Sequence, residues 1–363
     1  MSGKDPWLRL VRPDVSKWPR LWVLVGTLQL EPSNPQAVVH LILEGSKLVV
    51  VGGAGLIGSH TVDTLLAEDV AEILVFDNLA RGSTSNLEIA LRDQRVRVVE
   101  GGIGDVSALR DVFAGADGVF HFAALWLLHC HEHPREGFDV NVTGTFNVLE
   151  ACRDVGVRRL VFSSSASVYG DALEKPMSET HPFNNSTFYG ASKIAGEAMA
   201  TAFYHRYGLD YVGLRYFNVY GPRQDYEGAY VAVIMKMLDL LDRGISPTVY
   251  GDGTQAYDFV HVEDCARANV LAMKADSTDR LYNVCTGKQT SIKDLAGYLI
   301  DISGHDVEID YQPEGASHVT DRIGDPSLAK QDLGFVARTD LVDGLKGLIN
   351  WRNEHRETGN TAR

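Results

Sequence analysis

A tyrosine and a lysine, Tyr189 and Lys193, lie four residues apart in a segment with the composition of a helix. On a helix, positions i and i+4 share one face, so the phenol and the ammonium group would lie side by side. A phenol has an ordinary pKa of ~10 and is a weak base at neutral pH, but an adjacent cation favours the phenolate. The pair is therefore a candidate for proton transfer, although its spacing alone also fits an ordinary surface helix.

A run of hydroxyl side chains comes shortly before this pair. The apolar stretch Arg159–Ser163 predicts a buried strand, and Ser163, Ser164 and Ser165 stand at its end. Ligands of a parallel sheet bind at the carboxyl ends of its strands. A fold alone has little use for hydroxyls there, so their presence favours a reaction site.

Three glycines spaced three apart follow the apolar run Leu48–Val51: Gly52, Gly55 and Gly58. The pattern predicts a strand, a tight turn and the start of a helix, whose first N–H groups favour a bound phosphate. A second apolar run ends in Asp77, where a carboxylate can hold the hydroxyls of an adenosine ribose. Because Asp77 would repel a 2′-phosphate, NAD is favoured over NADP, although Arg81 nearby keeps NADP open.

The composition indicates a protein that acts on a small molecule. The chain of 363 residues has a formal net charge of −14, which argues against nucleic acid as a partner. Its early apolar run Leu21–Val25 is far shorter than the ~20 residues that a membrane span needs. We therefore expect a cytoplasmic protein without a membrane partner. The cysteines have no CxxC pairing, which fits a reduced compartment, and they are Cys130, Cys152, Cys265 and Cys285.

From residue 47 onwards, short apolar runs alternate with helical patterns, which is typical of a parallel sheet covered on both faces. We predict an α/β fold, with a Rossmann-type doubly wound parallel sheet over 47–222 and a smaller mixed α/β substrate domain over 223–353. Later segments could return to the sheet. Residues 1–46 are predicted to form an N-terminal extension without an assigned function, and 354–363 a tail.

The segment His129–His133 combines three histidines, a cysteine and a glutamate, which are metal-ligand types. A second cluster at a suitable spacing is missing from the sequence. We therefore predict no metal site, and interpret the segment as a loop over the substrate.

As an ordered set, these motifs resemble the extended short-chain dehydrogenase/reductase family, and within it the NAD-dependent nucleotide-sugar epimerases of the UDP-glucose 4-epimerase type. The resemblance covers residues 47 to about 352. Beyond the glycine turn, Asp77 and the Tyr189/Lys193 pair, it rests on these segments: Gly104–Val106, His121–Ala124, Asn141–Thr145, Ser163–Gly170, Arg215–Pro222, Gly251–Gln255 and Leu333–Phe335.

The resemblance implies bound NAD, a nucleotide-sugar substrate and a homodimer in which helices near 136–155 and 187–205 pair as a four-helix bundle. The implied cofactor-binding residues are Gly52, Gly55, Leu56, Ile57, Gly58, Asp77, Asn78, Arg81, Asp105, Val106, Ala123, Ala124, Tyr189, Lys193 and Phe217. The implied substrate-binding residues are Ser165, Tyr189, Asn218, Tyr257 and Arg322.

The resemblance also implies a mechanism with Ser165, Tyr189 and Lys193 as catalytic residues. Tyr189 as phenolate would take the proton of a sugar hydroxyl, commonly that on C4, while a hydride passes from this carbon to NAD. Ser165 would hydrogen-bond the same oxygen, and Lys193 would hold the nicotinamide ribose and lower the Tyr189 pKa. The 4-keto sugar would then turn over and take the hydride back on its other face.

Two departures from related sequences bear on the activity. Related dehydratases and decarboxylases carry a carboxylate just after the hydroxyl residue, where Ala166 and Ser167 stand here, so epimerisation is favoured. The alternatives are another nucleotide-sugar-modifying enzyme of this family, either an oxidoreductase or a dehydratase, and a non-catalytic NAD-binding regulator.

The second departure concerns the phosphates of the substrate. Relatives usually carry an arginine where Tyr257 stands, and a second expected arginine near Gly315–His318 is also missing. Either Arg223, Arg322 and backbone N–H groups hold the diphosphate, or the substrate is not a standard UDP-hexose. The loss of a bidentate arginine contact is not a neutral change.

Overall fold

The computed structural model describes residues 41–224, 233–313 and 321–360. Its strands are β1 (Lys47–Val51), β2 (Glu72–Asp77), β3 (Val96–Glu100), β4 (Gly118–His121), β5 (Arg159–Ser165), β6 (Asp210–Tyr216), β7 (Asn218–Tyr220), β8 (Thr248–Tyr250), β9 (Ala256–Tyr257), β10 (Phe259–His261), β11 (Arg280–Val284), β12 (Thr290–Ser291), β13 (Asp310–Gln312) and β14 (Asp321–Arg322). Its α-helices are α1 (Leu56–Leu66), α2 (Val106–Phe113), α3 (Leu127–Glu132), α4 (Pro134–Phe138), α5 (Thr145–Val155), α6 (Phe188–Tyr207), α7 (Val233–Asp242), α8 (Val262–Lys274), α9 (Ile292–Ser303), α10 (Ser327–Leu333) and α11 (Leu341–Asn360).

Within the described residues, seven parallel strands form the central sheet in the order β11-β6-β5-β4-β1-β2-β3. This confirms the predicted doubly wound parallel sheet. The strand order reverses between β1 and β4, and ligands of such sheets bind in the crevice at this point. The glycine turn after β1 and the alanines after β4 therefore lie at the same crevice.

Both faces of the sheet are covered by helices. Successive side chains of a strand point to opposite faces, so each strand contributes to both cores. Leu48 and Val50 belong to a core that α1 and α8 complete. Val49 and Val51 belong to a second core, completed by α2, α5 and α6. The apolar runs that predicted the strands are therefore continuous because both faces are buried.

The segment after residue 223 contributes to two parts of the fold. Its helices α7, α9 and α11 surround a third core with Leu238, Leu295 and Leu345. By contrast, α8 packs on the sheet, and β11 adds a strand beside β6. Residues 262–284, which lie within the proposed substrate domain 223–353, therefore return to the sheet of the proposed domain 47–222.

Parts of the predicted N-terminal extension and of the predicted C-terminal tail belong to the core or to a helix. Leu41 and Leu43 are buried in the first core, and the rest of the proposed extension, residues 1–40, lies outside the described part. Helix α11 continues to Asn360, into the stretch predicted to be a tail. In the described ranges, no helix combines the length and apolarity needed to cross a membrane.

Two local predictions need correction. The helix expected over 136–155 is divided into α4, a π-helical turn at Asp139–Gly144, and α5. The His129–His133 segment is not a loop, because α3 runs to Glu132 and α4 follows directly at Pro134.

Across the described residues, no group of three His, Cys, Asp or Glu side chains is arranged to hold a metal ion. The cysteines are all buried and reduced.

Candidate active site

Helix α6 brings the tyrosine and the lysine together. Its cap residue Thr187 accepts a hydrogen bond from the Gly190 N–H at 3.0 Å, so the helix begins just before Tyr189. Tyr189 is half-buried, while Lys193, one turn later, is only 4% exposed. The Lys193 Nζ lies 5.7 Å from the centre of the Tyr189 ring. The two side chains therefore share one face, directed at the end of the sheet.

Lys193 joins this helix to β5. Its Nζ donates a hydrogen bond to the Ser163 carbonyl at 2.7 Å and lies 5.4 Å from the centre of the Phe162 ring. Burial lowers the pKa of Lys193 to about 8. The ammonium group is thus held in one place at the carboxyl end of β5.

Burial disfavours the phenolate of Tyr189. It raises the pKa of Tyr189 to about 12, and a hydrogen bond with Ser165 opposes this rise, as do the positive charges of Arg322 and Arg81. In the protein alone Tyr189 is therefore protonated at neutral pH, with Ser165 and Arg322 as the neighbours that favour the phenolate most.

Ser165 is the last residue of β5 and caps the short 3₁₀ turn Ala166–Val168. Its Oγ accepts a hydrogen bond from the Ser167 N–H at 3.1 Å, which fixes the hydroxyl while leaving its own proton to donate. Ala166 and Ser167 are both buried. The position that follows the Ser165 hydroxyl is therefore apolar and enclosed.

A buried ion pair joins Arg215 of β6 to Glu197 of α6, one helical turn after Lys193. Arg215 donates to both carboxylate oxygens of Glu197 at 2.8 Å, and to the Tyr169 hydroxyl at 2.8 Å. Ser164 donates to Glu197 at 2.5 Å. Sequence reasoning missed Glu197 as a site residue, although its i+4 spacing from Lys193 was a usable signal. Its charge is neutralised by Arg215.

Helix α3 contributes a buried thiol that was not predicted. Cys130 Sγ accepts a hydrogen bond from Asn141 Nδ2 at 3.4 Å, and the same amide contacts Ser192 Oγ of α6 at 3.2 Å. Burial raises the pKa of the Cys130 thiol, with the Lys193 charge opposing this rise. Cys130 is thus a neutral neighbour of the Tyr189/Lys193 pair, and it belongs to the His129–His133 segment that was predicted to lie over the substrate.

The glycine turn fits a dinucleotide phosphate. Gly52 has φ +78°, and a Cβ there would lie 2.6 Å from the Ala123 nitrogen. A Cβ on Gly58 would lie 2.3 Å from the Gly52 carbonyl oxygen, whereas one on Gly55 would meet nothing closer than 3.4 Å. In the described part of the chain, no side chain caps α1, so the N–H groups of its first turn, at Leu56 and Ile57, face the crevice.

Asp77 is fixed at the end of β2 beside this turn. Its Oδ2 accepts from the Ala54 N–H and its Oδ1 from the Leu79 N–H, each at 2.9 Å. Each carboxylate oxygen keeps a lone pair for a ribose hydroxyl. Together with the uncapped helix and the two glycines that no larger residue can replace, this arrangement fits the predicted cofactor.

The other predicted cofactor residues lie around the same crevice. Asn78 accepts from the Ala80 N–H at 3.2 Å, and Asp105 caps α2, which begins at Val106, by accepting from the Ala108 N–H at 3.0 Å. Ala123 and Ala124 are the second and third residues after β4. Two placements were not foreseen. The Arg81 guanidinium lies over the Trp126 ring at 4.0 Å, and Phe217 is buried with its N–H donated to the Val284 carbonyl at 3.1 Å.

A cavity of about 870 Å³ lies beyond the end of β6 and contains Asn218 and Tyr257 in its wall. Arg322 on β14 is the strand neighbour of Tyr257 on β9. Its guanidinium is buried, and its Nη2 donates to the Gly170 carbonyl at 3.3 Å. The substrate residues predicted from the sequence are therefore grouped at one end of the sheet.

Arg223 is not part of this group. It pairs with Asp63 of α1 at 2.6 Å and lines a different cavity, of about 1180 Å³, along the outer face of α1. The alternative in which Arg223 and Arg322 together hold the diphosphate is therefore wrong for Arg223, because Asp63 of α1 holds its guanidinium at this other cavity.

Lys193→Met tests the cost of burying this ammonium group. Its pKa of about 8 lies below the ordinary 10.5, so the unfolded chain binds the proton more tightly and folding carries the full cost below pH 8. The cost declines as the pH rises and is gone above 10.5. We expect Lys193→Met to melt at a higher temperature than wild type at pH 7, and the difference to shrink by pH 10. Calorimetry at both pH values, with exposed Lys330→Met as control, checks this, and a pH-independent difference would contradict it.

The comparisons with known proteins agree with this geometry. The model of the NAD dependent epimerase/dehydratase family matches residues 48–285. The chain is 32% identical over 331 residues to a UDP-glucose 4-epimerase of Lacticaseibacillus casei, covering 85% of this chain and 98% of that protein.

Two solved structures are similar over almost their whole length. A UDP-N-acetylglucosamine 4-epimerase from Methanobrevibacter ruminantium M1, in complex with UDP-N-acetylmuramic acid, has a TM-score of 0.81 and 32% identity, covering 86% of this chain and 99% of that chain. A dTDP-glucose 4,6-dehydratase from Streptomyces venezuelae, with NAD bound, has a TM-score of 0.80 and 31% identity, covering 86% and 98%. The similarity therefore includes both epimerases and dehydratases.

Proposed function

Because the chain belongs to the NAD-dependent epimerase/dehydratase family and uses NAD, we propose that it is a nucleotide-sugar 4-epimerase of the UDP-glucose/UDP-galactose type. The reaction passes through a 4-keto sugar and has no net redox change. The proposed catalytic residues are Ser165, Tyr189 and Lys193. The similar L. casei and M. ruminantium proteins, both named as 4-epimerases of UDP-sugars, support this choice of substrate class.

The environment of the proton-transfer site carries the choice of epimerisation over dehydration. Elimination at C5 and C6 needs an acid that protonates the departing hydroxyl. The two positions after Ser165 hold an alanine and a serine, and the carboxylate of Glu197 is committed to Arg215. These residues support a site that moves one proton at O4 over a site with a dedicated acid beside Ser165.

The side chains of this protein would divide the work as follows. Ser165 donates a hydrogen bond to O4, and Tyr189 takes the O4 proton and later returns it. Lys193, fixed on Ser163, holds its charge beside the reacting groups. When bound, NAD supplies the centre that accepts the C4 hydride and gives it back. Because burial disfavours the Tyr189 phenolate in the protein alone, the extra positive charge of an oxidised nicotinamide would favour proton removal only in the complex.

A product screen tests the proposed function. The purified protein is incubated with UDP-glucose, UDP-N-acetylglucosamine, UDP-glucuronate and dTDP-glucose, and the products are separated by chromatography. We expect a C4 epimer from at least one UDP-sugar without accumulation of reduced cofactor. A 4-keto-6-deoxy product would show dehydration instead. Binding of NAD without any product would favour the non-catalytic regulator.

We also propose a cytoplasmic homodimer. Phe138 of α4 and Phe146 of α5 are 51% and 42% exposed on the helices expected to pair. Large apolar side chains close together on a surface are typical of an interface. Light scattering on the purified protein would give twice the mass of the 39.8 kDa chain, and a monomer would contradict the proposal.

A further inference from the structure

The cavity of about 870 Å³ that contains Asn218 and Tyr257 has an unusual charge distribution. Its wall is largely aromatic and aliphatic, with contributions from Tyr250, Phe259 and Met237. Among the described lining residues, the one charged side chain is Lys236 on α7. The cavity therefore combines flat apolar surfaces, which suit a base, with a single positive charge.

The helical period puts Lys236 on the cavity face of α7. The lining residues of this helix stand at positions i, i+3, i+4 and i+7, which share one face. They are Val233, Lys236, Met237 and Leu240. The neighbouring residues Ile234, Leu238 and Leu241 are buried in the third core, so the helix cannot rotate to carry Lys236 away from the cavity.

Lys236 has no ion pair and no hydrogen bond to any residue that the structure describes. The nearest carboxylate along its helix, Asp239 at i+3, pairs with Arg352, which also binds Asp242. Arg352 is buried and joins α11 to α7 through these two carboxylates. The acids that would ordinarily neutralise a lysine on this helix are thus engaged elsewhere, and Lys236 remains available to a ligand.

Strand pairing brings residues of the reaction site close to the wall of the cavity. Asn218 follows β6 by two residues, and the last residue of β6, Tyr216, is the strand neighbour of Ser165. On the same side, Arg322 stands beside Tyr257, and among the described residues its buried Nε has no hydrogen-bond partner. Ser165 and Arg322 thus stand on strands that adjoin the cavity with Lys236 in its wall.

We propose that Lys236 binds the diphosphate of the nucleotide substrate and is a specificity-determining residue for nucleoside diphosphates in this protein. The assignment rests on the proposed function, because it takes the nucleotide sugar as the substrate. A lysine is a flexible point charge rather than a bidentate fork. Lys236 is exposed, so its attraction for phosphate is screened by salt. Diphosphate affinity should therefore depend on ionic strength.

Titration calorimetry with UDP, dTDP and uridine tests this proposal on the NAD-loaded protein. Lys236→Met should weaken binding of the diphosphate by about 10- to 100-fold, the value of one charge-assisted hydrogen bond, and leave uridine affinity unchanged. Lys236→Arg should retain most of the UDP affinity. Lys330→Met, on another exposed helix surface, is the matched control and should bind like the wild type.

The outcomes separate this assignment from the proposed function. If the wild type binds UDP or dTDP and Lys236→Met binds it equally well with the same salt dependence, the role of Lys236 is overturned while the proposed function stands. If Lys236→Met loses uridine affinity as well, the lysine acts on the shape of the cavity, which also overturns the role. If the wild type binds neither diphosphate, the proposed function itself fails.

Discussion

Tyr189→Phe should lower turnover of the nucleotide sugar by about 10²- to 10⁴-fold, the usual contribution of a general acid–base group. The substitution removes the hydroxyl that hydrogen-bonds Ser165 and leaves the ring beside Lys193 in place. The bound NAD should therefore stay at the wild-type level. Steady-state rates with the best substrate of the product screen, and the NAD content of the purified variant, check both statements.

A tyrosine on the same helix provides the control for this prediction. Tyr204 of α6 packs its ring near Tyr211, at 6.5 Å between ring centres, and lies away from Ser165. Tyr204→Phe should keep full activity and a wild-type NAD content. Equal losses in the two variants would show that turnover depends on the integrity of α6 and not on the Tyr189 hydroxyl.

Arg215→Met should destabilise the protein by about 3–5 kcal/mol, because it leaves a buried carboxylate without its partner. Glu197 receives both of its arginine contacts from this one guanidinium, at 2.8 Å each. The same arginine also binds Tyr169 and the Glu179 carbonyl. Urea denaturation followed by circular dichroism measures the change in the free energy of unfolding.

The double variant Arg215→Met/Glu197→Gln separates the lost charge partner from lost packing. It should recover part of the loss, since no charge is then buried alone. Arg158→Met is the matched control, because Arg158 forms an exposed ion pair with Asp117 at 3.4 Å, and such pairs contribute about 0–1 kcal/mol. If Arg215→Met costs no more than Arg158→Met, the network is not a major source of stability.

Local patterns predicted the sheet and helix α6 well. The strands predicted from the three apolar runs, at Leu48–Val51, before Asp77 and at Arg159–Ser163, all exist, because residues buried on both faces produce continuous apolar segments. The strand β11 was missed. Arg280, at its start, is exposed, and the strand is defined by its pairing with β6 across the fold. Such long-range pairing leaves little signal in a five-residue segment.

The same contrast between local patterns and long-range contacts decides which site residues could be predicted. Tyr189 and Lys193 were found because their relation is set by one helix. The contacts of Cys130 with Asn141, and of Arg322 with Gly170, join residues that are distant along the chain. Lys236 had no motif at all, and only the tertiary fold shows that it lines the cavity with Tyr257.

Transfer of the C4 hydrogen is the most direct test of the proposed chemistry. The UDP-sugar that the product screen identifies is incubated with the protein in D₂O, and the epimer is examined by proton NMR. An epimerase of the proposed kind returns the same hydrogen to C4, so the product should carry no deuterium on its ring carbons. Deuterium at C5 together with loss of the C6 hydroxyl, or deuterium at C4, would contradict the account.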